Sequence, residues 1–152
     1  MRTVDRDIVS ALLFSKDGKI LQLLQASDGR AVYPGCWGLI GGGMDEGEDQ
    51  RTALDREIME ETGIDISRYP AELVHESSGE AEKVLKETGE RVFAKMKFHT
   101  YKVVVDDREA RDVPVTLGDE HTAHKWSTVS ELKDLELPPP SIELYKKLGY
   151  IH

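Results

Sequence analysis

The sequence predicts an α+β fold, several strands with a few helices. Three observations lead there. Short apolar runs separated by turn signals recur along the chain, which is the pattern of strands. One central segment, Gln50 to Thr62, instead places Leu54 and Ile58 four residues apart, the spacing of a helical stripe. The last third holds short helical stretches around the proline run Pro138-Pro139-Pro140. With 152 residues, 39% of them hydrophobic and 32% charged, the expectation is one soluble domain over residues 1–152, large enough for a proper core.

The elements follow in order. Asp7 to Phe14 is expected as the first strand, carrying Ile8, Val9, Ala11, Leu12, Leu13 and Phe14. Lys16-Asp17-Gly18 turns the chain, and Lys19 to Gln25 returns as the second strand of a hairpin. Ala26 to Cys36 is polar and punctuated by Gly and Pro, hence a loop. Trp37 to Ile40 is a short strand leading into Gly41-Gly42-Gly43. The helix of Gln50 to Thr62 has Asp49 as a candidate cap, and Gly63 suits the left-handed position past its end. Ala71 to Ser77 is a strand. Glu80 to Glu87 is either a short helix or the arm of a hairpin, with a turn at Thr88-Gly89-Glu90. Arg91 to Val105 is the longest strand; Val92, Ala94, Met96, Phe98 and Thr100 share one face. Asp106 to Asp119 is mostly loop, with a short strand at Val113 to Leu117. His124 to Ser127 is a strand and Ser130 to Leu135 a short helix. The prolines impose an extended link, and Ser141 caps a final helix to about Leu148.

The formal net charge is −9. Such a surface repels polyanions, which argues against a nucleic-acid polymer as partner. A single cysteine, Cys36, leaves no internal disulfide and no Cys-rich zinc site. The N-terminus lacks an apolar signal region, and no run is long enough to span a membrane, so the expected compartment is the cytoplasm. Either a monomer or a homodimer fits these bounds.

The chemistry concentrates in the central helix. Glu57, Glu60 and Glu61 stand at i, i+3 and i+4 and emerge on one face. Like charges at this spacing cost roughly 0.2–0.5 kcal/mol per pair. Two of the three also lie near the helix C-terminus, where the macrodipole disfavours them. A cation between the carboxylates resolves the conflict, and oxygen-only ligands select a hard ion, Mg2+ or Mn2+. Mg2+ commonly shares its shell between carboxylates and substrate phosphates. Arg56 adjoins the cluster, Glu48 lies upstream, and the glycines allow close backbone approach. An exposed Glu-rich helix is the plain alternative for Glu57 to Glu61 alone.

The full pattern is G-x5-E-x7-R-E-U-x-E-E-x-G-U, with U aliphatic, running from Gly42 to Ile64. At roughly one residue in twenty per specified position, a chance match lies well below about one in a million. This stretch closely resembles the signature of the Nudix hydrolases. The segment Tyr33-Pro34-Gly35-Cys36-Trp37-Gly38-Leu39-Ile40 resembles the strand and turn before that signature, although Ile40 stands where many members have proline. Glu120, Trp126 and Ser130-Glu131-Leu132 resemble its last strand and short helix.

The resemblance implies an α/β/α sandwich and metal-dependent hydrolysis of a nucleoside diphosphate linked to another group. It implies Gly41, Glu57, Glu60, Glu61 and Glu120 as metal ligands. Arg56, Glu57, Glu60 and Glu120 become the catalytic candidates, with Arg56 orienting Glu57 and the water's base either Glu57 or Glu120. The sequence is also similar to small bacterial nucleoside triphosphatases within the family. That implies a small nucleotide substrate, with a nucleotide sugar as the alternative and a non-catalytic nucleotide sensor as the competing class. Candidate substrate contacts are Tyr33, by stacking, Lys95, facing away from Met96, and Glu48. His121 is either a phosphate contact or an ordinary loop histidine.

Overall fold

The computed structural model describes residues 1–27, 33–85 and 87–152. The loop expected at Ala26 to Cys36 therefore lies partly outside the described residues, as does Lys86. The first strand, β1 (Arg2–Ser15), organises the sheet because its side chains are buried on both faces. Val9, Ala11 and Leu13 enter one core and Leu12 and Phe14 the other, as a period of two requires. A strand buried on both faces belongs in the middle of a sheet. One edge of β1 pairs antiparallel with β2 (Lys19–Gln25) at Phe14↔Ile20. Beyond that point β2 diverges to meet β3 (Trp37–Gly38). The space left along β1 is taken by β4 (Ile40–Gly43), from Ile8↔Gly43 to Ala11↔Ile40.

The helix α1 (Gln50–Thr62) follows, then β5 (Ala71–Val84) and β6 (Arg91–Val105). β6 runs parallel to β1 from Arg2↔Val92 to Ser15↔Val105, which makes the sheet mixed. β5 is paired with the far edge of β6. The last strand, β7 (His121–Thr128), pairs with β2. A 3-10 turn over Val129–Asp134 and the helix α2 (Pro139–Lys147) complete the chain. Ala53, Leu54 and Ile58 of α1 pack on one sheet face, with Val103 and Val105. Leu132, Leu144 and Tyr145 pack on the other, with Ile20. This is the α/β/α arrangement. Burying a side chain such as Leu54 contributes about 1.5–3 kcal/mol. Among the described residues no helix is long and apolar enough to cross a membrane.

α1 has the expected ends. Asp49 Oδ1 accepts from the Thr52 N–H at 2.7 Å, and Gly63, with φ 72°, donates its N–H to the Met59 carbonyl. Four expectations are corrected. β1 begins at Arg2, because its polar first residues still ladder with β6. The strand expected to end at Ser77 continues to Val84, so of the two readings of Glu80 to Glu87 the hairpin arm is the one that the described residues take. Val113 to Leu117 forms no strand, because its backbone serves the end of α1. The Thr116 N–H donates to the Thr62 carbonyl and the Gly118 N–H to the Glu61 carbonyl. These are acceptors that a helix C-terminus leaves without internal partners. The proline run is not wholly a link, since Pro139 and Pro140 form the first turn of α2. A missing N–H costs nothing there. Ser141 is thus inside the helix, not its cap.

Candidate active site

Two adjacent elements build the site, β4 and the helix α1. Their approach depends on glycine. A Cβ on Gly41 would lie 2.2 Å from the Val9 carbonyl oxygen, and one on Gly42 would lie 2.6 Å from the Glu57 carboxylate. Both are far inside contact distance, so a side chain at Gly41 would push β4 off β1 and one at Gly42 would displace Glu57. The Gly41 N–H donates to Glu61 Oε1 at 3.2 Å, fixing that carboxyl beneath the turn.

Arg56 ties the remaining acids together. Its Nε and Nη2 each donate at 2.8 Å to the two oxygens of Glu48. Nη2 also reaches the Gly43 carbonyl at 3.0 Å, and Nη1 donates to Glu57 Oε1 at 3.0 Å and to Glu60 Oε2 at 3.3 Å. A bidentate fork of this kind holds both partners in one geometry. The Arg56 guanidinium and the Asp45 N–H hold the Glu48 carboxyl down to about 2. The same hydrogen bond to Glu48 raises Arg56 further above its usual range.

Glu57 and Glu61 go the other way. Burial is the main cause for both. The Glu61 side chain is only 9% exposed; burial and the nearby Glu57 and Glu120 charges push it up to about 9, against the pull of the Gly41 N–H. Glu57 is also raised by burial, with Arg56 opposing. Two buried acids that face each other cannot both ionise cheaply without a cation. Burial and mutual repulsion therefore favour the protonated form of the pair in the metal-free protein. Glu60 differs: its side chain is 58% exposed and leans toward Arg56.

A cleft of about 360 Å3 is lined by Gly41 to Gly43, Glu57, Glu60, Glu61, Glu120 and His121. His121 Nδ1 lies 3.9 Å from Glu61 Oε2. The backbone bond from Gly118 to the end of α1 brings Glu120 to this cleft. A cavity of about 880 Å3 adjoins it, sharing Gly41 to Gly43, Glu61, Glu120 and His121. Among the described residues no three His, Cys, Asp or Glu side chains already converge as a metal cage. Glu60 must turn from Arg56 to join Glu57 and Glu61. The donor chemistry nonetheless fits a hard divalent ion, since the paired carboxyls are oxygen donors whose repulsion such an ion removes.

The fold thus gathers Gly41, Arg56, Glu57, Glu60, Glu61 and Glu120. Three expected substrate contacts stand elsewhere. Exposed Tyr33 is not among the described residues lining either cavity; its carbonyl accepts from the Cys36 N–H. Exposed Lys95 sits in register between Asp5 of β1 and Glu80 of β5, where opposite charges surround it. Glu48 is taken up by the Arg56 fork and lines neither cavity. Arg6 lines the larger cavity and is absent from the sequence-derived set. Its signal is alternation with Ile8, which became readable only once β1 extended back to Arg2.

The model of the NUDIX domain matches residues 4–148. The chain belongs to the Nudix family. Nucleoside triphosphatase NudI of Enterobacter sp. (strain 638) is 48% identical to this Nudix chain over 58 residues, which are 38% of the chain and 40% of NudI. The match thus spans about two fifths of that relative's length. Among solved structures, the E. coli ORF135 protein is 27% identical, covering 98% of this chain and 90% of that one, with a TM-score of 0.66. A MutT protein from Methanosarcina mazei Go1 superposes with a TM-score of 0.69 at 22% identity, covering 98% and 96% of the two chains. These likenesses establish the mixed-sheet Nudix fold.

Proposed function

We propose that residues 1–152 form one catalytic domain, a divalent-metal-dependent pyrophosphohydrolase of a nucleoside triphosphate that releases a monophosphate and pyrophosphate. The observation that carries this reading is the pair of half-buried Glu57 and buried Glu61, set against the glycine turn and flanked by Glu60 and Glu120 in one cleft. The likeness to nucleoside triphosphatase NudI supports the substrate class.

Glu57, Glu60 and Glu61, with the Gly41 carbonyl, are the groups to hold Mg2+ or Mn2+. Such an ion supplies Lewis-acid neutralisation of the diphosphate charge. The chain's own part is to position and to move protons. Arg56 keeps Glu57 in register through the fork on Glu48. Side-chain-free Gly42 leaves the Glu57 carboxylate room at the turn. Water adds to phosphorus as the anhydride P–O bond breaks; its proton passes to a carboxylate, Glu57 or Glu120, and the pyrophosphate leaves with the bond's electron pair.

The test is a screen of nucleoside triphosphates, ADP-ribose, GDP-mannose and dinucleotide polyphosphates with Mg2+ or Mn2+, with Glu60→Gln and Glu61→Gln beside the wild type. Pyrophosphate release from a triphosphate should need metal and fall about 10²–10³-fold in each variant, the loss of roughly 3–4 kcal/mol of transition-state stabilisation. Activity that survives both changes with unaltered metal dependence refutes the assignment. Turnover of the nucleotide sugars alone replaces the substrate class. Nucleotide binding without turnover of anything indicates a sensor.

A further inference from the structure

The larger cavity has an apolar wall that includes Ile8, Leu39 and Leu85, and Arg6 stands beside it. Arg6 shares a face of β1 with Ile8. Ile8 pairs with Gly43, so Arg6 lies just past the end of β4. Every other described arginine has a carboxylate oxygen within 4.0 Å. Among the described residues Arg6 has none, and its Nε is buried without a hydrogen-bond partner. The chain carries a net charge of −9, so carboxylates are not scarce. Its burial closes Nε off, but Arg6 as a whole is only half-buried, so a ligand in the cavity meets the outer Nη edge of a guanidinium that no carboxylate among the described residues neutralises.

Arg6 lines the larger cavity only, whereas Glu61 and Gly41 to Gly43 line both. Along β1, Gly41 pairs with Ser10, four residues from Arg6, so about 13 Å of strand separates Arg6 from the turn beside Glu61. In a nucleotide bound with its phosphates at Glu57 and Glu61, the part reaching this cavity is the base. The apolar wall suits a base's flat face, and a guanidinium fork matches two adjacent acceptors on its edge, such as O6 and N7 of guanine. Adenine sets a donor beside N7 and cannot accept both bonds.

We propose that Arg6 is a substrate-binding residue that reads the base edge and favours guanine over adenine nucleotides. This rests on the nucleotide-hydrolase reading above. The experiment compares kcat/KM for GTP and ATP in the wild type, Arg6→Ala and Arg6→Lys, and measures GMP and AMP binding to the metal-free protein by calorimetry. The wild type should prefer GTP. Arg6→Ala should lower kcat/KM for GTP about 10- to 100-fold, mainly through KM, and for ATP by less than about threefold. Arg6→Lys should not restore the preference, since an ammonium lacks the planar fork. The GTP-to-ATP ratio within one variant is independent of how much of it folds.

Equal losses on both nucleotides that Arg6→Lys repairs would overturn the proposal and make Arg6 a phosphate contact. A wild type without guanine preference, or an Arg6→Ala enzyme unchanged on both, also overturns it while leaving the hydrolase reading intact. A wild type that neither turns over GTP or ATP nor binds GMP or AMP removes both.

Discussion

Replacing Glu61 with Gln tests the electrostatics of the site without touching its shape. Gln keeps an oxygen for the Gly41 N–H and removes the acid. In the metal-free protein Glu61 rises from an ordinary 4.5 to about 9. Between those values the folded chain holds a proton that the unfolded chain has released. Unfolding then releases a proton, so this group's contribution to stability is full below about pH 4.5 and falls as pH rises toward 9. The slope is at most about 1.4 kcal/mol per pH unit. From pH 6 to pH 8 that is at most about 3 kcal/mol, and water in the open cleft reduces it to about 1–2 kcal/mol. For a domain of this size each kcal/mol shifts Tm by about 2–4 °C. Thermal unfolding in EDTA at pH 6, 7 and 8 should show the wild type losing about 2–8 °C relative to Glu61→Gln. Adding Mg2+ at pH 8 should stabilise the wild type and do little for the variant. Parallel Tm–pH curves in EDTA would refute the reasoning, since Glu61 would then ionise alike in the folded and unfolded chains.

Gly42→Ala places a methyl group 2.6 Å from the Glu57 carboxylate. Turnover should fall by about 10²-fold, as a misplaced reacting group costs on that order, while circular dichroism stays native; an active Gly42→Ala enzyme would show that Glu57 need not stand where it does. On the other face of the sheet, buried Gln22 donates from Nε2 to the Tyr145 hydroxyl at 2.8 Å. Tyr145→Phe leaves that amide without its acceptor and should cost about 1–3 kcal/mol in urea unfolding with kcat/KM unchanged. A loss of activity at equal stability would instead tie α2 to the site.

Much of the fold was legible because local chemistry and final structure agree. The limits of α1, Gln50 and Thr62, follow from Asp49 and Gly63 at its ends. β2 and β6 match their apolar runs residue for residue, from Lys19 to Gln25 and from Arg91 to Val105. The segment Val113 to Leu117 looked like a strand because it carries three apolar residues. Its backbone had a better offer from the end of α1, which no local pattern announces. Lys95 read as a phosphate contact because a strand's faces can be listed from sequence, whereas its neighbours, Asp5 and Glu80, depend on register.

The same division holds at the site. By itself the sequence determined the acids and their order on one helix face, because a helix repeats every 3.6 residues and turns spacing into direction. It likewise determined the glycine turn that precedes them. Only the tertiary structure decided that Glu61 is buried, which pushes its pKa up, while Glu60 stays in water. That difference depends on what packs over each carboxyl. It also decided that Glu48 serves Arg56 and that Arg6 is left without a carboxylate in a cavity wall. Pairing and burial are properties of residues far apart in the chain, and only folding brings them within reach.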